Sequence, residues 1–110
     1  MKAKLPSLAA SIVALAISLP AQAADADAAV ALTKKSNCMK CHSVNAKKDG
    51  PSFKETAGKY KGKSDAEAKL VTHLTTNPKV KIDGKEEEHA NLKTKDNAEV
   101  LNTVQWILAQ

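Results

Sequence analysis

The chain has 110 residues and a formal net charge of +5, and all 17 of its basic residues are lysines. The modest charge and the lack of arginine argue against a nucleic-acid-binding protein. Aromatic residues make up only 3% of the sequence. A single small domain with so few large side chains needs a covalent link or a prosthetic group to complete its core.

The N-terminal segment has the pattern of an export signal. Two early lysines precede an apolar stretch over residues 8–19, and Ala21-Gln22-Ala23 is an Ala-x-Ala cleavage site. The apolar stretch is short for a membrane span. We therefore expect a cleaved secretory signal peptide over residues 1–23 and one mature domain over residues 24–110. The mature protein should be periplasmic and have no membrane span.

Cys38, Cys41 and His42 form the sequence Cys-x-x-Cys-His, which is typical of covalent haem attachment. Each thiol can form a thioether with a haem vinyl group, and the adjacent histidine is then held below the iron as the proximal ligand. This attachment takes place outside the cytoplasm in bacteria, so the export signal and the motif support each other. The motif predicts one haem c bound through Cys38 and Cys41, with His42 as an iron ligand.

Two other interpretations of the cysteines remain open at this point. A Cys-x-x-Cys pair can be a redox-active disulfide, but that chemistry is typical of a βαβ context, which the sequence does not indicate. A zinc site would need two further ligands, for which His73 and His89 are available. The irregular spacing, and the lack of a purpose for His42, make zinc the weaker of the two.

The remaining sequence predicts helices and no strands. An alanine-rich helix over residues 24–37 leads into the motif, and Gly50-Pro51 marks a turn before a short helix over residues 53–61. Ser64 and Glu67 fit a capping box for a third helix that stops near residues 77–78. Residues 78–94 show no periodicity. Asp96 and Glu99 fit the start of a final amphipathic helix. That helix carries Val100, Leu101, Val104, Trp106, Ile107 and Leu108.

This order of features resembles the class I cytochrome c family over essentially the whole mature chain. The features are the first helix, the Cys38-x-x-Cys41-His42 motif, the Gly50-Pro51 turn followed by Phe53, and a closing helix that ends Gln105-Trp106-Ile107-Leu108. The resemblance implies an all-α fold of about four helices around one covalently bound haem. It also implies that the Pro51 carbonyl accepts the imidazole N–H of His42 and that Trp106 lies near a haem propionate.

The sequence departs from the family at the second axial ligand, which is usually a methionine on the loop before the last helix. Met1 belongs to the signal peptide, and Met39 lies between the two cysteines on the proximal side. We therefore expect a different distal ligand. His89, in the loop where the methionine should be, is favoured and would give a bis-histidine haem. His73, on the third helix, lies early in the chain for this role and is the second choice.

Two functions follow from these expectations. The first is an electron carrier that exchanges electrons with redox partner proteins. The second follows from a likeness to the SHP group of small exported haem proteins, in which an asparagine is a weak distal ligand. Asn91 would then be that ligand, or the site would be free, and the iron would bind oxygen, nitric oxide or carbon monoxide. We expect no enzymatic activity, since the sequence contains no nucleophile elbow, phosphate loop or carboxylate pair.

Overall fold

A computed structural model of the chain describes residues 2–3, 11, 13–16 and 23–110. Most of the predicted signal peptide therefore lies outside the described residues. From residue 23 onward the chain forms four α-helices, a short 3₁₀ turn over Cys38–Lys40 and one β-hairpin. The helices are α1 (Ala26–Lys35), α2 (Phe53–Tyr60), α3 (Ala66–Thr75) and α4 (Asn97–Leu108), and the strands are β1 (Lys79–Ile82) and β2 (Lys85–Glu88).

Helices α1 and α4, from the two ends of the domain, pack against each other through small buried residues. Ala29 and Thr33 of α1 and Thr103 and Val104 of α4 are completely buried. Each threonine hydroxyl donates to a backbone carbonyl of its own helix, which satisfies a polar group that could not be left unpaired in a core. The small side chains therefore allow the two helix backbones to approach closely.

Helices α2 and α3 also pack on α4, so α4 is the centre of the fold. Helix α3 buries Leu70 and Leu74, and α4 buries Val100 and Val104, each pair one turn apart on one helix face. Two aromatic rings, from Phe53 and Trp106, pack between α2 and α4. The apolar core contains Ala29, Leu32, Phe53, Leu70, Leu74, Leu92, Val100, Val104, Trp106 and Ile107. All the final-helix positions predicted to be apolar are buried or half-buried except Leu101, which is exposed.

The helix starts differ from prediction at two places. A complete capping box is present at α2, where Ser52 accepts from the Glu55 backbone and the Glu55 side chain accepts from the Ser52 backbone. The box predicted at Ser64 is wrong, because α3 starts one residue later and Asp65 occupies the N-cap without a side-chain bond to the backbone. Asp96 caps α4 as predicted.

The hairpin is the main feature that the sequence analysis did not predict. Strands β1 and β2 are antiparallel, and Lys79 faces Glu88 while Lys81 faces Glu86. Asp83 and Gly84 both have positive φ, which is the geometry of a two-residue hairpin turn. In β1, exposed lysines alternate with the half-buried Val80 and Ile82 over only four residues, and β2 is fully exposed. The apolar alternation by which strands are usually recognised is therefore too short to predict a hairpin. The fold class remains all-α, as predicted.

Candidate haem-binding site

The 3₁₀ turn places the two cysteines and His42 within a single tight loop. Asn37 starts this turn with φ 59°, and the Cys38 carbonyl then accepts from the backbone N–H groups of both Cys41 and His42. Both thiols are free and half-buried. Burial raises the pKa of the Cys38 thiol above its ordinary value. The turn therefore presents two thiols and an imidazole from one short stretch of backbone, as covalent haem attachment requires.

The Gly50-Pro51 turn fixes the orientation of the His42 ring. His42 Nδ1 lies 2.7 Å from the Pro51 carbonyl oxygen, the contact that the family resemblance implied. Because a carbonyl oxygen only accepts, Nδ1 carries the proton and Nε2 keeps its lone pair for a metal. Gly50 lies against the same ring, and its own N–H donates to the Cys41 carbonyl.

Two aromatic rings connect His42 to the core. Phe53 stacks on the imidazole with 5.5 Å between ring centroids and 23° between planes. Trp106 meets Phe53 edge-on, also with a centroid separation of 5.5 Å. Trp106 is therefore buried behind Phe53 in the core. Sequence reasoning used Phe53 only to mark the turn; its role as a support for His42 was missed, although it is the first large apolar residue after the motif.

His89 follows β2 directly and lies opposite His42, with 6.0 Å between the two ring centroids. Within the described part of the chain, its Nδ1 is buried and has no hydrogen-bond partner. Burial, and then the nearby His73 and His42, lower the pKa of His89 below 6.5. A half-buried imidazole that is neutral at pH 7 is in the protonation state that binds a metal.

His73 lies beside His89, with 4.4 Å between the ring centroids. Burial, and then the charges of His42 and Lys59, also lower the pKa of His73. Sequence reasoning ranked this residue low because of its early position in the chain. The spacing within α3 was the available signal, since positions 70, 73 and 74 share one helix face and Leu70 and Leu74 are buried. Among the described residues, no group of three or more histidine, cysteine, aspartate or glutamate side chains is placed to bind a metal ion.

Asn91, the alternative distal ligand, is occupied elsewhere. Its side-chain oxygen accepts from the Asn77 backbone N–H at 2.8 Å. Its side-chain nitrogen donates to the Thr75 carbonyl and to Asn77 Oδ1, both at 3.1 Å. These bonds hold the Asn91 amide against the C-terminal end of α3. The geometry therefore does not favour Asn91 as an iron ligand.

The family model for cytochrome c matches residues 26–110 of this chain. The chain belongs to the cytochrome c family. Cytochrome c-551 of Pseudomonas aeruginosa is 33% identical over 92 residues, which cover 84% of this chain and 86% of that protein.

Solved structures agree with this assignment. The crystal structure of the class 1 cytochrome MtoD from Sideroxydans lithotrophicus ES-1 superposes with a TM-score of 0.76 and 52% identity, covering 79% of this chain and 97% of that chain. Wild-type Nitrosomonas europaea cytochrome c552 gives a TM-score of 0.56 with 29% identity, over 72% of this chain and 95% of that chain. The protein is thus a monohaem class I cytochrome c with one covalently attached haem c.

The residues present fit this prosthetic group. His42 and His89, whose ring centroids lie 6.0 Å apart, would both be within reach of one iron ion held between them. The thiols of Cys38 and Cys41 lie one turn from the His42 ring. In the part of the chain that the structure describes, no helix is long and apolar enough to cross a membrane.

Proposed function

We propose that this cytochrome c is a periplasmic electron carrier whose haem iron is bound by His42 on one side and His89 on the other. Haem c supplies the one-electron chemistry by alternating between ferric and ferrous iron. The observation that carries the proposal is the closeness of the two imidazoles, whose ring centroids lie 6.0 Å apart with 53° between the ring planes. The buried, unpaired Nδ1 of His89 supports it, because a buried polar atom without a partner is uncommon unless a bound group accounts for it.

The protein's own residues hold both imidazoles in place for electron transfer. Pro51 fixes the tautomer and orientation of His42, and Phe53 supports its face. His89 is the residue immediately after β2, so the hairpin sets its position. With both His42 and His89 bound, the iron would have no free position for a substrate, and the expected role is electron exchange with redox partner proteins. Imidazole in place of a methionine thioether should also lower the reduction potential.

The gas-binding alternative would need a weak or absent distal ligand. Asn91 is the residue that would supply a weak one, and its amide is already bonded to Thr75 and Asn77. His89, in contrast, has a buried Nδ1 without a hydrogen-bond partner among the described residues, and its ring lies 6.0 Å from that of His42 between centroids. The arrangement therefore supports electron transfer over binding of oxygen, nitric oxide or carbon monoxide.

The optical spectrum of the holoprotein and of histidine variants tests the distal ligand. The wild-type protein should be low-spin in both oxidation states and should not respond to carbon monoxide. His73→Ala should keep that spectrum, because His73 is not a ligand in this proposal. The double variant His73→Ala/His89→Ala should become largely high-spin and bind carbon monoxide when reduced. The His73→Ala background matters because His73, at 4.4 Å from His89, could otherwise replace it.

Two results would contradict this assignment. A high-spin His73→Ala protein would make His73 the ligand. A double variant that stays low-spin and ignores carbon monoxide would mean that neither histidine binds the iron. A wild-type protein that is already high-spin when reduced and binds carbon monoxide would overturn electron transfer with two firm ligands and favour gas binding.

A further inference from the structure

Asn77 and Asn91 close the base of the hairpin where it leaves α3. Their side chains bond to each other, and each also bonds to backbone: Asn91 to Asn77 N–H and Thr75 C=O, and Asn77 to the His89 carbonyl at 3.0 Å. These bonds satisfy a carbonyl at the end of α3 that has no partner within the helix. We call these two asparagines the amide clamp.

The clamp acts directly on the backbone of His89. The His89 N–H donates to the Pro78 carbonyl at 2.8 Å, and its carbonyl accepts from Asn77 Nδ2. Both backbone groups of His89 are therefore held by residues that immediately follow α3. None of the residues of β2 itself has a side-chain bond to its backbone among the hydrogen bonds of the described residues.

The conformation of Asn77 explains why an asparagine stands there. Its φ is 46°, in the left-handed region that most residues avoid and that glycine and asparagine tolerate. Glycine would accept the backbone conformation but would have no amide to reach His89. Asparagine supplies both the backbone turn and the hydrogen bonds.

The hairpin has little else to hold it. All four residues of β2 are exposed, and in β1 only Val80 and Ile82 are half-buried. A two-stranded hairpin is marginally stable by itself in water. Apart from the clamp, the backbone bond from Leu92 to Leu74 at 3.0 Å ties the chain after the hairpin to α3. Leu92 is also buried in the core. The clamp adds the side-chain bonds at the hairpin base, and its bond from Asn77 is the one that holds the carbonyl of His89.

We propose that Asn77 and Asn91 are positioning residues that hold His89 opposite His42, and that the strength of this amide clamp sets how readily His89 leaves the iron. The proposal rests on His89 being the distal ligand. An added ligand such as azide must wait for His89 to leave, so its apparent affinity rises with the fraction of molecules in which the position is open. Azide affinity therefore measures how firmly the amide clamp holds His89 on the iron.

Asn77→Gly is the sharpest variant, because it keeps a residue that accepts positive φ and removes only the side-chain bonds. Asn91→Ala removes the other half of the clamp at a position without that backbone requirement. The matched control is Asp83→Gly, since Asp83 also has positive φ, at 51°, and lies at the far end of the same hairpin. All three changes are made in the full-length chain, and the ferric holoprotein is titrated with azide.

Asn77→Gly removes two of the clamp's hydrogen bonds and Asn91→Ala removes three. Each change should raise azide affinity by about threefold to tenfold, an equilibrium effect of the size of one ordinary hydrogen bond's net contribution. Asp83→Gly should leave it unchanged even where it lowers the urea midpoint of unfolding. A purely structural role for the clamp would lower unfolding midpoints without altering azide affinity, and that result would overturn the proposal.

The histidine spectra keep this outcome separate from failure of the proposed function. If the double histidine variant becomes high-spin but both clamp variants bind azide as the wild type does, His89 is the ligand and the clamp inference alone is wrong. If the double variant stays low-spin, the distal assignment fails, and the clamp proposal fails with it.

Discussion

Gly50 packs its backbone directly against the imidazole of His42. A Cβ atom at this position would lie 2.4 Å from Cε1 and 2.9 Å from Nδ1 of the ring, well inside normal contact distance. The ring cannot give way freely, because Phe53 stacks on it and Pro51 accepts from its Nδ1. Glycine is thus required here by the close approach of backbone and ring.

Gly50→Ala should therefore disturb the proximal ligand. The added methyl group must displace the His42 ring and break its bond to Pro51, and we expect a smaller fraction of the purified protein to carry haem and a shifted optical spectrum in the rest. The measurement is the haem content per chain together with the oxidised and reduced spectra.

Gly58→Ala is the matched control for this change. No atom lies within 4 Å of a Cβ built at Gly58, which is on α2. This variant should keep full haem content. Because alanine in a helix is favoured over glycine by up to about 1 kcal/mol, it should also unfold at a slightly higher urea concentration. Equal haem content and identical spectra in the two variants would refute the role given to Gly50.

At the scale of the elements, the chain contains two Ser-x-x-Glu patterns that the sequence alone cannot rank. Ser52 and Glu55 form the reciprocal bonds of a capping box, whereas Ser64 lies in a turn before α3 and makes no cap. Backbone bonds from Lys63 to Tyr60 and from Ala66 to Lys63 form that turn. Which serine caps a helix depends on how the preceding chain arrives, and that is set by tertiary structure.

Ser52→Ala should lower the free energy of unfolding by about 1 kcal/mol, the usual effect of losing an N-cap side chain. The loss includes the bond that Ser52 Oγ accepts from Glu55 N–H at 3.0 Å. Urea unfolding of the holoprotein measures this loss as a lower midpoint. The slope of the free energy of unfolding against urea concentration should stay the same.

Ser64→Ala is the control, and it should have no measurable effect. The sequence pattern would predict similar losses for both serines, so similar midpoints in the two variants would contradict the capping difference in the structure.

The contrast between local sequence patterns and tertiary structure also explains which parts of the haem site could be predicted from the sequence. On the proximal side the residues are close in sequence, so Cys38, Cys41 and His42 follow from a local motif. The Pro51 contact was implied by the family resemblance. The distal half depends on residues far apart in sequence. The closeness of His73 to His89, and the clamp of Asn77 on His89, arise from the way the hairpin folds back on α3. No spacing of residues in the sequence predicts that the hairpin folds back on α3.

For the whole molecule, the first residues of the mature domain predicted from the sequence make contacts with the rest of the fold. Ala24 packs partly against the core, and Asp25 caps α1. Asn102 of α4 bonds to both the N–H and the carbonyl of Asp25, at 2.8 and 2.9 Å, and so ties the two ends of the domain together. By contrast, Val13 and Leu15 are 78% and 82% exposed, and apolar residues so exposed add nothing to the fold.

We therefore expect the full-length chain, expressed in a bacterium with periplasmic haem attachment, to yield a protein that starts at Ala24 and carries one haem. Cleavage there would remove the apolar leader and keep every contact of Asp25. Intact mass and N-terminal sequencing measure the start, and the mass also shows the covalent haem. The matched control is a chain of residues 24–110 without the leader, which should accumulate in the cytoplasm without covalent haem. Haem on the leaderless chain, or a purified holoprotein that keeps residues 1–23, would contradict export as the route to the mature cytochrome.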